Sequence, residues 1–302
     1  MDHPFWYRDI LLNMPSNSAV LCVDRNHMNF VSRFYPNIAV TGFLSHGGTA
    51  VDYTLKRVSE RNIDVLYAGS LYKSKAESQK PNFSQWDIPG EEICKKTIAY
   101  LMEHRHVTIE KAFEQQLQQA GIELEDDEFI KYMSACGYIE RVVSSNIRGK
   151  CLEIIAISGI SLTLYGDGWN ECDWVSLPNV HYGGMIRPEE VLVQMENAKI
   201  VLNTLPWFKD GSHERVFNGM LRGCVVVSES SGYLNEILPQ EVWTSFDVED
   251  ENLDELADQI KTLLGDSDRM QAIADAGYEL CENVHTWEAR AKEIHDDILQ
   301  YL

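Results

Sequence analysis

The sequence predicts an α/β fold in two halves, each with strands alternating with helices around a parallel sheet, joined by a helical connector. Three observations predict it. Short apolar runs alternate with amphipathic stretches over 19–70 and again from 160 onward. Residues 91–158 carry apolar residues at helical spacing with no strand-like run between them. Four strand ends in the second half lead into glycines or polar groups rather than apolar residues.

In order along the chain, "AVLCVD" (19–24) reads as a buried strand and "HMNFVSRFYP" (27–36) as a short helix stopped by Pro36. "IAVTGFL" (38–44) and "IDVLYAGS" (63–70) read as the second and third strands of the first half. Three helical stretches fill the connector, and Gly159 follows the last as a helix-stop glycine. Strands are then expected over 160–165, 180–182, 199–206 and from Cys224 to Val227. Helices are expected over 188–198, 252–265 and 268–284, with a closing stretch, "TWEARAKEIHDDILQYL", to the last residue. The expected domains are 1–145, with the connector, and 146–302.

Bulk properties exclude several classes. The net charge of -21 argues against a nucleic-acid or anionic-membrane partner, which demands a basic face. The longest apolar runs, such as 19–23 and 224–227, are far too short to cross a bilayer. Residues 1–20 lack the pattern of a signal peptide. Seven widely spaced cysteines without a CxxC fit buried thiols in a reducing cytoplasm better than disulfides or zinc.

Ligands of parallel α/β sheets bind outside the carboxyl ends of the strands. The richest strand end is "GSHERVFNGMLRGCVVVSES" (211–230). Gly211, Ser212 and His213 stand where a helix would begin, and its free N–H groups and dipole suit a diphosphate. Arg215 supplies a planar donor fork for phosphate oxygens, or else pairs with Glu214 or Glu229. Val216, Phe217, Met220 and Leu221 form the buried stripe, and Gly223 ends the helix. Gly166-Asp167-Gly168 serves a ligand or a plain turn; Trp169 and Trp174 serve as stacking platforms or as packing. Asp266-Ser267-Asp268 resembles a metal-binding DxD, but between two helices it reads as a helix cap.

The run from Gly211 to Asn218, with Met220, Leu221, Gly223 and a Val-rich strand, resembles the donor-binding half of GT-B glycosyltransferases, and more narrowly their CgeB-like, spore-maturation branch. "LTLYGDGW" (162–169), "LPNVHYGGMI" (177–186), "AGYELCENVHTWEAR" (276–290), "DHP" (2–4) and "GFLSHGG" (42–48) are similar to the same branch. The resemblance implies two Rossmann-like α/β/α domains facing a cleft, and transfer of a sugar from a nucleotide-sugar donor, a UDP-sugar, without a metal or other cofactor. The partner it implies is an unknown glycan, protein or lipid acceptor. It implies donor-sugar and ribose contacts from Asn218, Ser231, Gly232 and Tyr233, and diphosphate contacts from Ser212, His213 and Arg215. Gly166, Gly168 and Gly183 line the donor side, and base contacts fall to Trp169 and His181. His46 and Asp24 are the candidate catalytic bases of the first half; Asp24 reads equally well as a helix cap.

Two departures from the family pattern stand out. Many retaining relatives carry Glu-x7-Glu where this chain has Asp210 and Asn218. The first Rossmann-like half also looks truncated at its start, which implies a fragment or a partner chain that completes its sheet. A non-catalytic nucleotide-sugar or partner-binding domain is the alternative reading.

Overall fold

The computed structural model describes residues 1–248 and 253–298. The chain forms two compact units that share it unevenly. The first comprises 1–45, 72–146 and 206–211; the second comprises 46–71, 147–205 and 212–302.

The first unit pairs two parallel strands, β1 (Ala19–Cys22) and β2 (Val40–Phe43), in a register that sets Ala19 against Val40. Its helices are α1 (Arg8–Leu12), α2 (Arg25–Phe34), α3 (Lys73–Ser78), α4 (Gly90–Glu103), α5 (Ile109–Gln119) and α6 (Asp126–Ser134). Asp24 caps α2 by accepting from the backbone N–H groups of Asn26 and His27. The helix buries His27, Phe30, Val31 and Phe34, a three-to-four spacing that turns one face inward. Phe5 meets Phe30 edge-on at 5.1 Å, and Phe34 stacks on Phe129 at 5.1 Å. The long α7 (Gly137–Ile157) runs from one unit into the other.

The second unit is built on a six-stranded, all-parallel sheet of order β5-β4-β3-β6-β7-β8. The strands are β3 (Ile63–Ala68), β4 (Leu162–Tyr165), β5 (Val180–Tyr182), β6 (Ala198–Asn203), β7 (Val225–Glu229) and β8 (Thr244–Phe246). Its remaining helices are α8 (Pro188–Met195), α9 (Glu214–Leu221), α10 (Gly232–Ile237), α11 (Leu253–Leu264), α12 (Ser267–Cys281) and α13 (Trp287–Ile298). Every residue of β7 is buried, as expected of a strand covered on both faces.

Strand β3 departs from the expected division at 145/146. It lies inside the second unit's sheet, with Val65 opposite both Leu162 of β4 and Ile200 of β6. Its apolar run marks it as buried on both faces, but nothing local to it specifies which sheet it joins. The segment before it is anchored by Arg61, whose buried guanidinium donates to the carbonyls of Lys56, Ala198 and Arg222. Strand β8 and helix α10 had no sequence expectation. The expected helix over 252–265 begins outside the described residues at 252, and the closing stretch leaves them at 299–302.

All seven cysteines are free thiols, and all but Cys172 are buried. Among the described residues, no helix is long and apolar enough to cross a membrane.

Candidate functional site

Helix α9 is positioned by its two ends. At its start His213 is the N-cap, and its Nδ1 accepts from the Arg215 backbone N–H at 3.2 Å. At its end Gly223 adopts φ +63, with Cys224 N–H donating to Gly219 O at 2.9 Å and Gly223 N–H to Met220 O at 2.8 Å. That pair of bonds is a Schellman stop, and it turns the chain directly into β7. Val216, Phe217, Met220 and Leu221 are buried and fix the helix to the sheet. The polar helix start is thereby held at the carboxyl edge of the strands.

Arg215 is the central side chain. It is 7% exposed, and its guanidinium lies over the Tyr67 ring, 5.5 Å from the centroid. Its Nη1 is buried without a hydrogen-bond partner. Among the described residues it forms no ion pair with Glu214 or Glu229; Glu229 instead accepts from the Leu205 N–H at 2.6 Å. Arg215 Nη2 meets His213 Nε2 at 3.1 Å. A neutral imidazole cannot accept at both nitrogens, so one of the two His213–Arg215 contacts sets donor against donor. Burial holds the Arg215 guanidinium below its ordinary pKa, and the nearby Arg148 charge lowers it further. Tyr67 and Glu214 offset part of that cost, and a buried guanidinium with one N–H group unmatched at a helix N-terminus suits an anion.

The surrounding strand ends add polar groups that the sequence reading missed. Tyr67 Oη and Thr204 Oγ1 share a hydrogen bond of 3.0 Å. Arg148 Nη1 donates to Ser70 O at 3.0 Å, and its Nε is buried without a partner. Asn203 Nδ2 donates to Ser228 Oγ at 2.8 Å, while its Oδ1 is buried without a partner. The signal for Asn203 and Thr204 was present in the polar pair ending "IVLNT". For Arg148, inside an apparent connector helix, the sequence carried none.

His46 belongs to the second unit, not to the first half as expected. Its Nδ1 donates to Ser212 O at 2.7 Å, which leaves the lone pair of the neutral ring on Nε2. Nε2 stands 3.7 Å from Glu214 Oε2, and the ring lies 5.7 Å from that of His213. Ser212, His213, Arg215 and His46 thus gather at one helix start. Ser231 caps α10, accepting from Leu234 N–H at 3.0 Å, with Gly232 exposed as the first helical residue and Tyr233 buried.

Other expected residues take different places. Asp24 is wholly buried in the first unit; its Oδ1 accepts from Asn26 N–H at 2.7 Å and its Oδ2 from Asp210 N–H at 2.7 Å. Both oxygens are committed to backbone donors, which fits the cap rather than the base. Trp169 is 0% exposed and donates from Nε1 to Gly69 O at 2.7 Å. It offers no open face in this structure, which fits packing, the other reading of this residue, rather than a base contact. Gly168 has φ +87, and a β-carbon there would fall 2.1 Å from Leu71 O. The Gly-Asp-Gly turn, with Gly166, is thus shaped by close backbone approach to the end of β3. His181 and Gly183 are exposed at the edge strand β5, three positions from β6 in the sheet. Asn218 is buried, and its Oδ1 accepts from the Thr49 N–H at 2.8 Å. Asp266 accepts from Arg269 N–H at 2.9 Å as the cap of α12, so the DxD-like triplet is structural.

A parallel sheet with a helix N-terminus and two arginines at its carboxyl edge places these groups where ligands of open α/β sheets bind. Residues 148–296, just under half of the chain, match the family described as "Glycosyl transferase-like". Strand β3, in the middle of the same sheet, lies outside the matched residues. Among solved structures, the chain is similar to the sucrose-phosphate synthase of Thermosynechococcus elongatus, with 15% identity and a TM-score of 0.53 over 98% of this chain and 60% of that one. It is also similar to a mutant of S. aureus TarM in complex with Fondaparinux, α-GlcNAc-glycerol and UDP, with 11% identity and a TM-score of 0.53 over 96% of this chain and 45% of that one. The chain therefore spans less than two thirds of the length of either. These likenesses show the fold, which is that of GT-B glycosyltransferases with Rossmann-like domains. No curated protein matches the chain.

Proposed function

We propose that the chain is a glycosyltransferase that moves a hexose from a UDP-sugar to an acceptor without a metal ion. The observation that carries this reading is Arg215, buried, with Nη1 unmatched, at the N-terminus of α9. The leaving diphosphate would take that donor together with the first N–H groups of the helix and the capping His213. Arg148 would share the charge from the end of β3. His46 donates from Nδ1 to Ser212 O, so Nε2 is the nitrogen that would take a proton, and His46 is the proposed proton acceptor. Placement in the CgeB-like branch rests on the sequence resemblance.

Purified protein should release UDP from a UDP-sugar, with and without a chelator, and should be stabilised against heat by UDP but not by uridine. Equal responses to UDP and uridine would refute the diphosphate assignment. Dependence of turnover on an added divalent ion would refute metal independence.

One observation favours a second reading, a domain that binds a nucleotide sugar without turning it over. Asn218, where many retaining relatives have Glu, is not a carboxylate and spends its Oδ1 on Thr49 N–H. Tight UDP-sugar binding with no hydrolysis or transfer would establish it.

A further inference from the structure

The first unit holds a cavity of about 560 Å³, a size suited to a small ligand. Its wall includes three aromatic residues, Trp6, Trp86 and Tyr138, with Asn82, Gln85 and Arg141. Arg141 is the one charged residue in the lining, in a chain of net charge -21.

The lining is rich in unused donors. Arg141 Nε is buried without a hydrogen-bond partner. Its guanidinium is held by aromatic faces instead of an acid, 4.9 Å from the Tyr72 centroid and 5.7 Å from that of Trp6. Asn82 Oδ1 already accepts from Ser84 Oγ at 2.8 Å, which leaves that amide a donor. Trp6 is 40% exposed, and Gly137 admits it, because a β-carbon there would sit 3.3 Å from the Trp6 Nε1. Trp86 packs on Tyr132 at 4.6 Å and on Phe83 at 5.2 Å, which fixes its plane.

We infer that this cavity binds an acidic saccharide, a sugar ring bearing a carboxylate. Trp6 stacks on His3 at 4.7 Å, and the part of it left exposed, with Trp86 and Tyr138 beside it, offers apolar surface to the C–H groups of a pyranose. Indole and amide N–H groups match its hydroxyl and ring oxygens, and the Arg141 fork matches a carboxylate. A simple anion would leave the aromatic walls unused. A neutral apolar ligand would leave the one cation of the lining without a charge partner. In combination with the proposed transferase activity, this ligand is the acceptor; only that last step rests on the transferase reading.

The test uses the full chain and saturation-transfer NMR with methyl glucuronide, methyl glucoside and inorganic phosphate at millimolar concentrations. The glucuronide is expected to bind at least about tenfold more tightly than the glucoside, a gap of roughly 1.4 kcal/mol. Arg141→Gln should bring the two glycosides to parity. Trp6→Ala should weaken both. Equal affinity of the parent for the two glycosides overturns the inference. So does binding unchanged in both variants, or phosphate binding as tightly as the glucuronide. The UDP-induced thermal shift should persist in Arg141→Gln. Loss of the UDP response in the parent, with glucuronide still bound, would strike the transferase reading and leave this one standing.

Discussion

Arg215 lies over the Tyr67 ring at 5.5 Å, with its Nη1 buried and unmatched. The ring offers partial compensation to the cation, and an anion would complete it. Arg215→Met should therefore weaken UDP binding by about 2 kcal/mol, roughly thirtyfold, and barely change uridine binding. Without nucleotide the same variant should be more stable than the parent by ~1 kcal/mol, because a buried charge that is only partly compensated is gone. Calorimetric titration and denaturant unfolding read the two effects separately.

Asn218 and Thr49 give a structural prediction. Asn218→Ala leaves the Thr49 N–H without its acceptor at 2.8 Å and should cost ~1–2 kcal/mol in denaturant unfolding. Asn218→Asp keeps the acceptor and should cost much less. If both variants also keep full UDP affinity, Asn218 is a loop anchor rather than a donor contact.

Gly168→Ala should destabilise by ~3 kcal/mol or more. The strain has two sources: a positive φ of +87, and a β-carbon 2.1 Å from a backbone oxygen that cannot rotate away. A thermal midpoint within a degree or two of the parent would contradict it.

Glu110 sets a pH dependence. Burial pushes its carboxyl up from the ordinary 4.5 to about 7, against the hydrogen bond donated by Thr108. The folded state therefore binds this proton more tightly than the unfolded one. The stability it contributes is full below pH 4.5 and is lost as pH rises through 7. Glu110→Gln should flatten that loss, leaving the variant ~1–2 kcal/mol more stable than the parent at alkaline pH. Unfolding curves at acidic and alkaline pH check the sign. His27 acts in the opposite sense: burial lowers its pKa to about 3, so its contribution is lost as pH falls from 6.5.

The sequence foretold the parts whose signals are local. Helix α9 with its cap, its stripe and Gly223, followed by the buried run of β7, could be read from one stretch of twenty residues because each signal lies beside the next. Asp24 and Asp266 were legible as caps for the same reason. Trp169 was not, because an indole in a glycine turn looks the same whether it packs inward or faces a ligand. Arg148, Tyr67 and Asn203 were missed because their meaning comes from which strands are neighbours. Tyr67 joins the site only because β3 sits between β4 and β6.

That placement of β3 bears on how the chain can be made and divided. Ser70 and Asp167, hydrogen-bonded at the strand ends, are 97 positions apart. On a ribosome, the nascent strand must wait for both neighbours to emerge, and such distant pairing makes for slow folding. A gene cut to encode 148–296 alone would lose this strand and leave β4 and β6 without the partner between them. Two bare inner edges would then invite association between copies, so expression of the excised segment should give aggregate unless residues 46–71 are supplied beside it.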